Sequence, residues 1–267
     1  MKNILITGAS SGLGKSLFFK LKKKYPKANF YLVSRNPYLK VIENKISQSK
    51  VIFCKFELSE RKCVKKIIKI IGQINFDLLI NNAGQIYNSN NFQKNLNLNT
   101  LSHFYLNYYF IKKKRNNKIK IINISSFYHS YIKCDKKNLT NIIKRKTMFS
   151  LKAYALSKLF SLALSKNLES KFPNKCIFFN INPVLIISNF DKKSFILKKL
   201  ISKFIRYFIG RNPDDISKEI VKIISKNPYL TRSKLLYNKF NHLNKLVDDK
   251  EFQKKIFHIA NKIYKNI

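Results

Sequence analysis

The stretch Thr7-Gly8-Ala9-Ser10-Ser11-Gly12-Leu13-Gly14 decides how this chain is read. An apolar run, Lys2-Asn3-Ile4-Leu5-Ile6, leads into it, and a helical pattern, Leu17–Lys24, follows it. A strand that turns through glycines into a helix suits anion binding. The glycines allow a tight turn, close approach of backbone to a pyrophosphate, and close helix–strand packing. The start of the helix then offers unpaired N–H groups and a partial positive charge. The whole chain holds only six glycines, and three fall between Gly8 and Gly14, so composition alone does not produce the cluster.

Working outward, further short apolar runs recur at Phe30–Val33, Val51–Phe56, Leu78–Ile80, Ile119–Ile124 and Cys176–Ile181. Near-continuous hydrophobicity fits strands buried on both faces of a parallel sheet. Helical patterns lie between them at Val64–Ile71, Leu101–Phe110 and Ala155–Leu168. This alternation predicts an α/β fold: a doubly wound parallel sheet of the Rossmann type, in three α/β/α layers. Ligands of such sheets sit beyond the carboxyl ends of the strands. At 267 residues one domain spanning 1–267 is expected. Three stretches depart from the alternation. Lys133–Leu151 reads as a polar surface insertion, 190–210 as a basic amphipathic segment, and 248–267 as a terminal helix with Phe252, Ile256, Ile259 and Ile263 on one face.

The composition is 45% hydrophobic, ample for a core, yet no run reaches the roughly 18 apolar residues a bilayer requires. The first strand begins at once, so no leader is expected. Cys54, Cys63, Cys134 and Cys176 show no metal-ligand spacing, and a reducing, cytoplasmic setting with no metal follows. The formal charge of +41 is carried by lysines spread along the whole chain, with only seven arginines. Nucleic-acid binders concentrate charge on one face and favour arginine, so no nucleic-acid partner is expected.

The spacing Thr-Gly-x-x-x-Gly-x-Gly, together with Asn81-Asn82-Ala83-Gly84 directly after the strand Phe76–Ile80, resembles the short-chain dehydrogenase/reductase family. The resemblance implies a nicotinamide dinucleotide lined by Gly8, Ser10, Ser11, Gly12, Leu13 and Gly14, and by Asn81, Asn82, Ala83 and Gly84 near the adenosine. At the end of the second strand an acidic residue would accept from the ribose and repel a 2′-phosphate. Ser34 and Arg35 stand there instead, and a guanidinium pairs with phosphate, which points to NADP(H). Glu57-Leu58 takes the place of the family's Asp-Leu, a mild departure.

Carbonyl reduction needs a hydride and a proton. A phenol, with an unperturbed pKa of about 10, serves as the acid when an ammonium lies nearby. Tyr and Lys four apart on a helix share a face. Chance alone predicts roughly two or three such pairs in a chain this rich in Lys, and there are three. Only Tyr154/Lys158 lies between the fifth and sixth strands, after the strand-end serines Ser125-Ser126. Tyr108/Lys112 and Tyr109/Lys113 belong to an earlier helix and are expected to pack or solvate. By resemblance, Ser126 hydrogen-bonds the substrate carbonyl, with Ser125 as the fallback, and Asn99 holds a helix kink and a relay water. Tyr154 and Lys158 complete the set and also touch the coenzyme. Pro183 and Ser188 match the nicotinamide-contacting segment, whereas Val184 replaces its usual glycine.

Asn99-Thr100-Leu101-Ser102-His103-Phe104, the long insertion before Tyr154 and the terminal helix resemble the retinol dehydrogenase and protochlorophyllide reductase branch. That branch implies a lipophilic carbonyl or alcohol substrate, with 190–210 as a lid that is open to membrane-surface contact. Homo-oligomerisation stays open. Two competing readings are a 3-oxoacyl-[acyl-carrier-protein] reductase, whose acidic partner suits the basic surface, and a dinucleotide-binding protein without turnover, suggested by Val184.

Overall fold

A computed structural model of the chain describes residues 1–35, 49–183, 211–225 and 243–265. Its strands are β1 (Asn3–Thr7), β2 (Asn29–Ser34), β3 (Val51–Lys55), β4 (Leu78–Asn81), β5 (Ile119–Ile124) and β6 (Cys176–Ile181). Its helices are α1 (Gly12–Lys24), α2 (Cys63–Ile71), α3 (Phe92–Leu96), α4 (Ser102–Lys113), α5 (Leu139–Lys144), α6 (Ser150–Lys171), α7 (Pro213–Ser225) and α8 (Lys250–Lys265). The six strands form one parallel sheet in the order 3-2-1-4-5-6, the doubly wound arrangement that the alternating pattern predicts. Order reverses between β1 and β4, which opens a crevice above their carboxyl ends.

Two-faced burial explains the uninterrupted apolar runs. Alternate residues (Ile4, Ile6, Leu32, Ile80) face Leu17 and Phe18 of α1 and Ile216 and Ile220 of α7. Their neighbours (Leu5, Val33, Leu79, Ile121) face α2, α4 and α6. Each fully buried Leu or Ile contributes about 1.5–3 kcal/mol, so both faces hold the sheet and neither can turn polar.

At the carboxyl end of the sheet the side chains change character. Asn81, Asn123 and Asn180 are register neighbours on β4, β5 and β6. Asn81 Nδ2 donates to Asn123 Oδ1 at 2.7 Å and to Asn107 Oδ1 at 3.0 Å. Asn123 Nδ2 donates to Asn180 Oδ1 at 2.8 Å and to Ser165 Oγ at 2.7 Å. Buried amides are tolerated only when bonded, so this ladder pins α4 and α6 to one register against the strands.

Between α3 and α4, Asn97–Leu101 form one π-helical turn, buried throughout. Side chains of the turn reach out to fix it: Asn97 Nδ2 donates to the Ser59 carbonyl at 3.0 Å, and Thr100 Oγ1 to the Ser157 carbonyl of α6 at 2.7 Å.

The stretch Lys133–Leu151, expected as a polar surface insertion, is more than that. Leu139 and Ile143 of α5, four apart, are buried with Met148, and Gln93 Nε2 donates to the carbonyls of Ile143 and Arg145 at 2.6 and 2.7 Å. The dense lysines conceal a short amphipathic helix. The terminal helix has the predicted face: Phe252 and Ile256 are buried, Ile259 and Ile263 half-buried. Phe252 packs against Phe160 of α6, and the Tyr105 hydroxyl donates to the Ala260 carbonyl at 3.1 Å. Among the described residues no helix is long and apolar enough to cross a membrane.

Candidate active site

The turn from β1 into α1 uses its glycines physically. Gly8 and Gly12 have positive φ, 69° and 53°. A Cβ on Gly14 would collide with the Gly8 carbonyl, and one on Gly8 would come within 2.9 Å of Ala83 Cα. These are places where only glycine fits. Ser11 caps α1 with extended backbone and no side-chain bond to the helix, while Ser11 and Gly12 are exposed. The first-turn N–H groups therefore point toward solvent above the crevice, a cradle suited to a diphosphate.

The turn is tied to the strand end beside it. Asn82 Nδ2 donates to the carbonyls of Thr7 and Gly8, both at 3.1 Å, and the N–H groups of Asn82 and Ala83 donate to Thr7 Oγ1 at 3.0 Å. Thr7 Oγ1 also lies 3.0 Å from His103 Nε2 of α4. Burial, then the charge of Lys158, push the His103 imidazole down to about 3, against a backbone hydrogen bond at Asn99 that raises it. His103 is therefore a neutral strut. Sequence reasoning gave it no role; its signal was a histidine, one of four, one helical turn after Asn99.

Asn99 lies in the π-helical turn. Its amide brackets Gln85, donating to the Gln85 carbonyl at 2.9 Å and accepting the Gln85 N–H at 3.0 Å. A Cβ on Gly84 would lie 3.1 Å from Asn99 Oδ1 and 3.6 Å from Lys158 Nζ, so the segment after β4, the π turn and α6 converge there. Asn81, by contrast, is committed to the buried amide ladder, with its side chain among Asn107 and Asn123 rather than at the turn.

Tyr154 and Lys158 share a face of α6. Lys158 Nζ lies 5.5 Å from the Tyr154 ring centre and donates to the Ile124 carbonyl, at the end of β5, at 2.7 Å. The lysine is 6% exposed, and burial lowers its pKa to about 8. Ser126, two residues beyond β5, is 9% exposed and starts a 3₁₀ turn, Phe127–Tyr131. Tyr128 of that turn meets the Tyr154 ring edge-on at 6.1 Å and stacks on Phe127 at 4.4 Å. The phenol ring therefore has both an aromatic neighbour and a buried cation close to it.

Two polar side chains at the strand ends beside Ser126 lack partners within the described residues. Among the described residues the Ser125 hydroxyl and both atoms of the Asn182 amide are buried without hydrogen-bond partners. Ser125 N–H donates to the Ile181 carbonyl at 2.7 Å, so the two residues are cross-strand neighbours. Asn182 precedes Pro183, which is buried. Val184, Ser188 and the segment 190–210 lie outside the described residues.

On the adenosine side, Ser34 ends β2 and Arg35 follows it. Arg35 Nη1 lies 3.5 Å from Glu57 Oε2, just past β3. The expected phosphate cation thus faces a carboxylate in this structure.

The glycine cradle, the orphaned Asn182 amide and the buried Tyr–Lys pair all lie at the carboxyl end of the sheet, a set that suits a nicotinamide dinucleotide. They can hold an anion at the start of α1 and move a proton at the Tyr154 hydroxyl. A family model described as short chain dehydrogenase matches residues 2–132. An NADP-dependent 3-hydroxy acid dehydrogenase of Schizosaccharomyces pombe (strain 972 / ATCC 24843) is 38% identical over 90 residues, covering 31% of this chain. That match spans 34% of the yeast protein, about a third of its length. Among solved structures, 4-hydroxyisoleucine dehydrogenase complexed with NADH superposes with a TM-score of 0.66 at 20% identity, over 86% of this chain and 94% of the other. A short-chain dehydrogenase from Sphingobium yanoikuyae in complex with NADPH gives 0.64 at 18% identity, over 84% of each chain. Identities this low speak to the fold alone.

Proposed function

We propose that this chain is a short-chain dehydrogenase/reductase that interconverts a carbonyl and an alcohol on a lipophilic substrate with NADP(H), Tyr154 passing the proton. The observation that carries the reading is the buried Lys158 ammonium one helical turn from Tyr154, held by the Ile124 carbonyl. A cation at that place favours the phenolate and lowers the cost of giving up the phenolic proton.

In this reading the coenzyme, when bound, supplies or accepts a hydride. The cradle of Gly8, Ser10, Ser11, Gly12, Leu13 and Gly14 receives its diphosphate, and Asn82, Ala83 and Gly84, tied to β1 through Thr7, wall the adenosine side. Ser34 and Arg35 take the 2′-phosphate, an arginine fork being suited to it. Asn81 acts at one remove, holding the strand end through its ladder. Pro183 and Ser188 flank the nicotinamide. Ser126 donates to the substrate oxygen and orients it toward the Tyr154 hydroxyl, and Asn99, from the π turn, fixes the Gln85 backbone next to Gly84 and Lys158. The lipophilic preference is supported by the aromatic flank of Phe127 and Tyr128 beside Tyr154.

The test is NADPH oxidation against a panel of aryl and alkyl ketones, aldehydes and an acyl-carrier thioester, with NADPH binding measured in parallel. Turnover of a lipophilic carbonyl that Tyr154→Phe abolishes without loss of NADPH binding supports the reading. Binding with no turnover of any member overturns the enzymatic part, and selective thioester reduction overturns the substrate part.

A further inference from the structure

We propose that Glu57 sets the coenzyme selectivity of this chain by competing with the adenosine 2′-phosphate for Arg35. The inference rests on the reading of Arg35 as the phosphate-binding cation and adds the group that opposes it.

The geometry is asymmetric. The Arg35 side chain is 59% exposed and reaches Glu57 Oε2 with one nitrogen at 3.5 Å. Glu57 is half as exposed, at 30%, and its other oxygen accepts the Ser59 N–H at 3.1 Å. The carboxylate is thus tethered by backbone two residues on, while the guanidinium is free to turn. Tyr87 closes the corner: it hydrogen-bonds Ser59 and feels both Glu57 and Arg35, and burial is the main cause of its raised pKa, so the phenol stays neutral. Glu57 is therefore a fixed anion beside the place where a second anion would bind.

A 2′-phosphate drawn to Arg35 must share the guanidinium with Glu57 and lie close to its negative charge. A 2′-hydroxyl carries no charge and has a proton to donate to a carboxylate. Glu57 consequently weakens NADP(H) and leaves NAD(H) unpenalised. The chain takes both coenzymes, with a narrower preference for NADP(H) than Arg35 alone would give. Exposed ion pairs are weak, which limits the effect to about three- to fivefold in affinity.

The experiment is fluorescence titration of the full chain with NADPH and with NADH, for wild type, Glu57→Gln and Arg35→Gln. Glutamine keeps an oxygen for the Ser59 N–H and removes only the charge. Glu57→Gln should tighten NADPH about three- to fivefold and leave NADH within twofold. Arg35→Gln should weaken NADPH at least about tenfold with NADH little changed. Raising KCl to about 0.5 M should shrink the Glu57→Gln gain, because charge is screened there while a merely structural change is not. An NADPH:NADH ratio unmoved by Glu57→Gln, or a gain that KCl leaves untouched, overturns this proposal alone. Wild type that binds neither coenzyme overturns it together with the proposed function.

Discussion

Three Tyr-x-x-x-Lys pairs occur in this chain, and their local geometries hardly differ. The lysine nitrogen lies 5.4 Å from the ring of Tyr108, 5.9 Å from that of Tyr109 and 5.5 Å from that of Tyr154. Helical spacing delivers this much regardless of context. The surroundings separate them. Lys112 and Lys113 on α4 are exposed, and Lys113 donates to the Gly72 carbonyl behind α2. Tyr108 is stacked on Phe104 and edge-on to Phe257 of α8, so its ring belongs to the packing of that layer. Lys158 is buried at the carboxyl end of β5, where the crevice lies. A motif becomes chemistry when the fold removes water from it. A pair at the same spacing on a wet helix face remains decoration.

The largest expected effect breaks the comparison at the phenol. Tyr154→Phe should lower carbonyl reduction by about 10²–10⁴-fold, the usual worth of a positioned acid–base group, while leaving NADPH affinity within twofold. Tyr109→Phe should change kcat by less than about twofold. Equal losses at both positions would show that burial does not separate the pairs.

Next comes the ammonium. Lys158→Met should cost about tenfold or more in kcat, and Lys112→Met nothing measurable. The pH profile sharpens this. Burial holds Lys158 at about 8, so its charge is lost as pH rises through that value, and the rate of carbonyl reduction should fall there. Lys158→Arg, which does not titrate in this range, should carry whatever activity it retains to higher pH. A wild-type profile flat across pH 7–9 would sink the assignment.

The same comparison measures how legible the chain was. The sheet, its six strands and the glycine turn could be read because burial on two faces and positive φ leave marks in residue type. Arg35 was legible as a scarce residue at a strand end, whereas its partner Glu57 sits 22 residues away, just past the end of β3, and no local pattern joins them. The amide ladder was hidden for a different reason. Asparagine is so common here that Asn81, Asn123 and Asn180 stand out only once the register aligns them. His103 and the orphaned Asn182 amide likewise take their meaning from neighbours across the sheet, which spacing along the chain does not reveal. Lys133–Leu151 reads as polar because its lysines outnumber the Leu139, Ile143 and Met148 that anchor it.

A smaller effect concerns stability, and its sign follows from proton counting. Between pH about 8 and 10.5 the folded protein has lost the Lys158 proton that the unfolded chain still holds. Unfolding then takes up a proton, so the stability of the free protein rises with pH across that window. Denaturant melts of wild type and Lys158→Met at pH 7.5 and 10 should show a Lys158-dependent gain at the higher pH, absent in the variant. No such dependence would mean that water reaches the amine.

The smallest expected effect lies on the other side of the comparison. Lys113 Nζ donates to the Gly72 carbonyl at 2.7 Å and to Gln73 Oε1 at 2.6 Å, tying α4 to the loop after α2. An exposed lysine keeps much of its hydration, so Lys113→Met should cost no more than about 0.5–1 kcal/mol in a urea melt. It should leave both kcat and the pH profile unchanged. If that substitution instead moved the alkaline limb of the profile, the helix of Tyr109 would be coupled to the crevice after all. The distinction between a buried pair that does chemistry and an exposed pair that only holds two helices together would then have to be redrawn around the path from α4 through His103 to Thr7.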